Sequence, residues 1–249
     1  MKDYVGNPLQ TRGAEQYTLQ NGRGYGMRFL YLRNGLGLDI WLSLDRAGDV
    51  SRLQFKGDNI GYFSPCGYVA PQYYDQVDIG FLKSFTAGFL TTCGLSAAGS
   101  PCTDDGECLP LHGTVSHLPA ELMALEEADD GLTVKLLLRD AVIFGRKLVL
   151  HRTYHLSYLE NTFTLSDTVT NEADTETPYM ILYHCNIGYP LLREDSVIQI
   201  PNHGVTPRNP HSAETLDTAL NMEVPQRGYE ECCYYYDVKS RDDQAQVGN

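Results

Sequence analysis

At 249 residues the chain is long enough for one large domain with a full core, or for two domains of ordinary size. Its 19 Lys and Arg against 32 Asp and Glu leave a net charge of −13, which repels phosphate backbones and speaks against a nucleic-acid partner; 42% hydrophobic and 10% aromatic content excludes a disordered chain. The longest apolar runs, such as Tyr179 to Tyr183, fall far short of the roughly 18 residues a membrane helix needs, and Met1-Lys2-Asp3-Tyr4 has no apolar segment behind its charge, so a soluble, cytoplasmic protein without membrane contact is expected.

Period-two stretches recur while helix-period stretches are scarce, which predicts an all-β chain. Gly37 to Leu44 and Val50 to Phe55 flank Asp45-Arg46-Ala47-Gly48-Asp49 as a hairpin. Gly57 to Gly113 breaks the rhythm: it is rich in Gly, Pro, Tyr and Cys and longer than an ordinary loop, so it either carries function or wraps the domain as a structured excursion. Leu122 to Ala128 consists of helix formers, yet Asp129-Asp130-Gly131 and the β-patterned Leu132 to Leu138 follow, so two strands are predicted there. Lys147 to Ser157 and Thr162 to Asn171 pair across Leu159-Glu160-Asn161, with Phe163, Leu165 and Val169 on one face and Thr162, Thr164, Ser166, Thr168 and Thr170 on the other. Short strands and turns over the whole length predict a large sandwich in a single domain, 1–249.

Seven cysteines are an odd count in a chain too long to need a disulfide framework, so no obligatory disulfide is expected. The gaps from Cys102 to Cys108 and from Cys232 to Cys233 do not fit a zinc site, and no metal is expected. In Tyr183-His184-Cys185-Asn186-Ile187-Gly188-Tyr189-Pro190 a strand delivers a His among hydrogen-bonding neighbours. Such a His serves as a general acid near neutral pH, or equally as a satisfied core residue. In Leu111-His112-Gly113 the glycine lets a ligand approach the ring, or is simply a turn residue beside a surface imidazole. His151 and His155 share one strand face without a third ligand, and His203 and His211 sit in loops.

The ordered series Leu90-Thr91-Thr92-Cys93-Gly94-Leu95, Leu111-His112-Gly113, Asp167-Thr168-Val169-Thr170-Asn171 and Tyr183 to Pro190 resembles the DUF4432 branch of the aldose 1-epimerase (galactose mutarotase-like) superfamily. Asp45 to Arg52 and Ser64-Pro65 fit the same branch, and the resemblance runs from about Gly37 to about Pro201. It implies a β-supersandwich with a carbohydrate cleft and an isomerase that interconverts sugar anomers. In that reaction a base takes the C1 hydroxyl proton while an acid protonates the ring oxygen, and the ring opens and recloses without a cofactor. The resemblance implies His184 as the acid and His112 as a hydrogen-bonding partner of a small-molecule sugar, with Lys83, Asn186 and Arg46 as further sugar contacts. Lys83, in Phe81-Leu82-Lys83-Ser84-Phe85, reads equally as a solvated surface lysine.

The resemblance also implies a Glu near the C-terminus as the general base, in this branch usually in a Leu-Glu-Pro after a Trp-containing strand. Gln244-Ala245-Gln246-Val247-Gly248-Asn249 carries no such motif and the only Trp is Trp41. The expectation is therefore a supersandwich lacking its C-terminal strands in a C-terminally incomplete chain, or a base that has been lost; Glu230 and Glu231 lie in surroundings that do not match. Two other functions stand beside the mutarotase reading: a non-catalytic carbohydrate-binding or sensing protein, and a metal-dependent sugar isomerase of another β-fold, which needs three or four convergent ligands.

Overall fold

The computed structural model describes residues 2–241 and 244–245; residues 246–249, within the segment searched for Leu-Glu-Pro, lie outside them. The chain divides into two compact units, Met1–Gly188 and Tyr189–Asn249.

In the first unit the period-two pattern becomes two antiparallel sheets. One joins β1 (Gly13–Thr18), β2 (Arg28–Arg33), β3 (Leu38–Ser43), β4 (Asp49–Phe55) and β5 (Asp58–Asn59) in chain order. The excursion that follows contributes β6 (Tyr62–Phe63), β7 (Ala87–Gly88), β8 (Leu90–Leu95) and the small hairpin β9 (Cys102–Asp104) and β10 (Glu107–Leu109). The second sheet is β11 (Glu121–Glu127), β12 (Gly131–Ala141), β13 (Lys147–Ser157) and β14 (Phe163–Asn171), again in chain order. Then β15 (Met180–Cys185) returns to pair antiparallel with β8. The hairpin expected around Asp45 to Asp49 is β3 and β4, and the pair expected across Leu159-Glu160-Asn161 is β13 and β14. The helix formers of β11 lie extended because pairing with β12 outweighs their weak intrinsic preference.

Leu30, Leu32, Ile40 and Leu42 of the first sheet and Leu132, Val134, Leu136, Leu148, Leu150 and Leu156 of the second belong to one buried cluster, the filling of a sandwich. Each such side chain contributes about 1.5–3 kcal/mol by leaving water. On β14 the exposed Thr164, Ser166, Thr168 and Thr170 alternate with half-buried Phe163, Leu165, Asp167 and Val169, so Asp167 shares the inward face. Its cross-strand partner is Arg152, whose side chain is 0% exposed. Arg152 donates from Nε and Nη2 to Asp167 (2.9 and 2.7 Å), from Nη1 to Asp49 Oδ1 (2.7 Å) and from Nη2 to Thr92 Oγ1 (2.7 Å). Asp49 in turn accepts from the Thr92 N–H (2.8 Å) and hydroxyl (2.6 Å). One guanidinium thus ties β4, β8, β13 and β14 together, and the Tyr183 hydroxyl, donating to Asp167 Oδ2 at 2.9 Å, adds β15.

The second unit holds β16 (Asn202–Pro207), α1 (Pro210–Glu214), β17 (Tyr234–Val238), β18 (Ser240–Arg241) and β19 (Gln244–Ala245), with β16 paired to β17 and β18 to β19. Among the described residues no helix is long and apolar enough to cross a membrane.

Candidate functional site

Pairing of β15 with buried β8 sets His184 opposite Thr91 and Tyr183 opposite Thr92. Because side chains alternate along a strand, Tyr183 and His184 leave opposite faces: the hydroxyl anchors β15 to Asp167 and the imidazole turns the other way. Burial, together with the hydrogen bond to the Asp167 carboxylate, pushes the Tyr183 phenol up to about 12, so it stays a donor. Beyond the strand, Asn186 donates from Nδ2 to the His184 carbonyl (3.0 Å) and from its N–H to the Phe89 carbonyl (2.9 Å), fixing the bend after the histidine.

The second histidine is set by backbone geometry. His112 has φ 61° and Gly113 φ 71°, two successive residues in the left-handed region. A Cβ at position 113 would run into the carbonyl oxygens of Gly94 and Ala97, which is the physical need for glycine in the His-Gly pair. The turn is locked by His112 N–H to Gly99 O (2.9 Å) and Gly94 N–H to His112 O (3.0 Å). His112 Nδ1 accepts the Gly99 N–H at 3.2 Å, so in the neutral ring the proton sits on Nε2.

Four rings then converge. His112 and His184 meet edge to face with centroids 5.5 Å apart at 88°. Phe85 meets His184 in a T-shaped contact at 5.4 Å, and Phe81 meets His112 likewise at 5.3 Å. Behind Phe81, at 5.6 Å, lies buried His117, stacked on Tyr74 at 3.5 Å. Arg46 Nη2 lies 3.0 Å from His117 Nε2, and because an arginine only donates, that nitrogen is bare and the ring proton on Nδ1 goes to Ser116 Oγ, 3.1 Å away. The Ser84 hydroxyl also meets Nε2, at 3.2 Å. Burial, reinforced by the Arg46 charge, pushes His117 down to about 2.

The site residues expected from sequence divide into two groups. His112 and His184 come together, and Asn186 joins them through the His184 backbone. Arg46 is placed differently from the expected sugar contact: it is buried and donates to the carbonyls of Ser116 (2.7 Å), Val69 (2.9 Å) and Ser84 (3.0 Å) as well as facing His117. The cavity it lines measures about 20 Å³, room for a water and not for a sugar. Lys83 lies on the turn between Phe81 and Phe85 with its side chain 70% exposed, and its ammonium pairs with Asp75 at 2.6 Å. Phe81 and Phe85, with His117 and Tyr74 behind them, complete the ring cluster and were not among the residues expected from sequence; the two phenylalanines flanking Lys83 were the available signal. Among the described residues no group of three or more His, Cys, Asp or Glu is placed to hold a metal ion.

The fold has counterparts among solved structures. A candidate aldose 1-epimerase from Klebsiella pneumoniae subsp. pneumoniae MGH 78578 is 26% identical with a TM-score of 0.86, over 97% of this chain and 64% of its own. The galactose 1-epimerase of Lactobacillus acidophilus NCFM is 14% identical with a TM-score of 0.57, over 95% of this chain and 67% of its own. A galactose mutarotase-like protein from Clostridium acetobutylicum is 10% identical with a TM-score of 0.58, over 81% of this chain and 62% of its own. The chain therefore spans about two thirds of the length of these proteins, with the galactose mutarotase-like sandwich fold. No curated protein matches it. The domain of unknown function DUF4432 matches residues 24–248, and with nearly the whole sequence inside that match the chain belongs to the DUF4432 family.

Proposed function

We propose that the protein binds a sugar against the His112–His184 cluster and interconverts its anomers, as a cytoplasmic, cofactor-independent isomerase of the aldose 1-epimerase type. One observation carries the reading: two histidines far apart in sequence, each placed by its own backbone device, meet at 5.5 Å inside an aromatic frame. His184 is the acid that protonates the ring oxygen. His112, with its proton on Nε2, donates to a sugar hydroxyl, and Phe81 and Phe85 hold both rings through T-shaped contacts. Asn186 orients His184 through its carbonyl, and Lys83 reaches the sugar by exchanging Asp75 for a hydroxyl. Arg46 acts at one remove, as a positioning residue that fixes Ser84 and His117 behind Phe81. A second group must take the C1 hydroxyl proton, and neither Glu230 nor Glu231 is given that role.

The test is anomer-resolved NMR of freshly dissolved aldoses, phosphorylated and unphosphorylated, with the protein and its His184→Gln variant. Loss of a general acid should slow mutarotation roughly 10²- to 10⁴-fold while saturation-transfer signals from the bound sugar persist. Near-normal turnover in the variant would remove His184 from the mechanism.

A further inference from the structure

Away from the histidine cluster, the second unit places a thiol against an imidazole. Cys232 Sγ lies 3.4 Å from His211 Nε2, and Thr215 Oγ1 approaches the same sulfur at 3.5 Å, with the Tyr229 hydroxyl at 4.0 Å. Thr215 is itself backed by Tyr234, hydroxyl to hydroxyl at 2.6 Å. The sulfur is thus met by a base that can take its proton and by hydroxyls that can stabilise the negative charge left behind, the arrangement of an activated nucleophile.

The sulfur also opens onto a space of ligand size. Cys232, Thr215 and Tyr229 line a cavity of about 500 Å³ together with Asn221, Glu223 and Gln226. The adjacent Cys233 is not in that lining, and burial together with the Glu231 charge pushes its thiol up, away from the reactive form. Two neighbouring cysteines are therefore set apart, one beside a base in a cavity and one suppressed. Among the described residues, Glu223 is the charged side chain lining the cavity, so it favours a ligand carrying a cation.

We propose that Cys232, with His211 as its base, is a site of reversible thiol–disulfide exchange that takes small, ammonium-bearing disulfides. The Cys232 proton passes to His211 Nε2 and the sulfur attacks one sulfur of the disulfide. The old S–S bond breaks, and the leaving thiolate takes the proton from His211. The disulfide is the oxidant: Cys232 ends as a mixed disulfide and one small thiol is released, so atoms and electrons balance. A small thiol reverses the step, and Cys233 is not needed to resolve it.

The test incubates the full chain at neutral pH with cystamine, with neutral hydroxyethyl disulfide and with anionic oxidised glutathione, and maps adducts by peptide mass spectrometry. Cys232 should be modified ahead of Cys102, Cys108 and Cys185, which are more exposed but have no such base. Cystamine should lead hydroxyethyl disulfide by about fivefold, the weight of one nearby charge in water, and Glu223→Gln should cancel most of that lead. His211→Gln should slow Cys232 at least roughly tenfold and leave Cys102, the reagent control within the same molecule, unchanged. If the exposed cysteines react as fast as Cys232 in the unaltered chain, the activated site is refuted, whatever the variants do. If Cys232 leads but glutathione matches cystamine, the cationic preference is refuted.

Discussion

His117 is a histidine that the fold keeps neutral. Its Nε2 faces the Arg46 guanidinium and its ring stacks on Tyr74, so a proton added there would be buried beside a cation. The folded value of about 2 lies below the ordinary 6.5, so between those limits the unfolded chain binds a proton that the folded chain refuses, and stability falls as pH falls through that window. The slope from this one group is about 1.4 kcal/mol per pH unit. His117→Gln keeps an acceptor for Arg46 and removes the titration, so urea unfolding between pH 6 and pH 4 should show a slope shallower by that amount; identical slopes would mean that His117 charges in the fold. This residue was silent in the sequence, whereas His112 and His184 were not. Their signals are local, a glycine that frees φ and a strand ending in polar residues. His117 takes its meaning from Arg46 and Ser84, 71 and 33 positions away. The same distance explains Arg46: its motif was visible, but the carbonyls that claim its guanidinium were not.

Strand faces were legible wherever one side meets water. The alternation of β14 put Phe163, Leu165 and Val169 inward, and parity alone places Asp167 with them. That Asp167 faces Arg152, and that Asp49 arrives from another sheet, required the register. By contrast β8 is buried along its whole length, so it shows no alternation and was hidden inside the Gly57 to Gly113 excursion. Burial works against the Arg152 cation, but Tyr154, the hydrogen bonds to Asp167 and the Asp49 charge outweigh it and hold its pKa well above the ordinary value. Arg152→Met keeps much of the stem and deletes the charge, leaving two buried carboxylates without their cation. Removing one partner of a buried ion cluster costs about 3–5 kcal/mol, which should appear as a lower urea midpoint at pH 7. A change below 1 kcal/mol would show that the cluster is stabilised from elsewhere.

Across the molecule, the sandwich followed from the rhythm of strands and turns, because each turn and each alternation is written locally. The division at Gly188 was not announced by any change in composition. Among the described residues β15 pairs with β8 alone, and Met180, Leu182 and Tyr183 along it are 47%, 43% and 44% exposed. An apolar strand with an open edge is a template for pairing with another copy. Light scattering should therefore show concentration-dependent association of this chain, weakened by Leu182→Lys with little change in its unfolding midpoint. Association equal in the two proteins would place the contact elsewhere.

The pairing of β8 with β15 also dictates when the two histidines meet. Its residues lie about 90 positions apart, while β13 and β14 are joined by a short turn. Closing the longer loop costs about 2–3 kcal/mol more chain entropy, so the hairpins of the second sheet should assemble first and the strand bearing His184 should dock last. In refolding followed by pulsed hydrogen exchange, amides of β13 and β14 should gain protection before those of β15. The nascent protein would then pass through a stage with a formed sheet and no paired histidines.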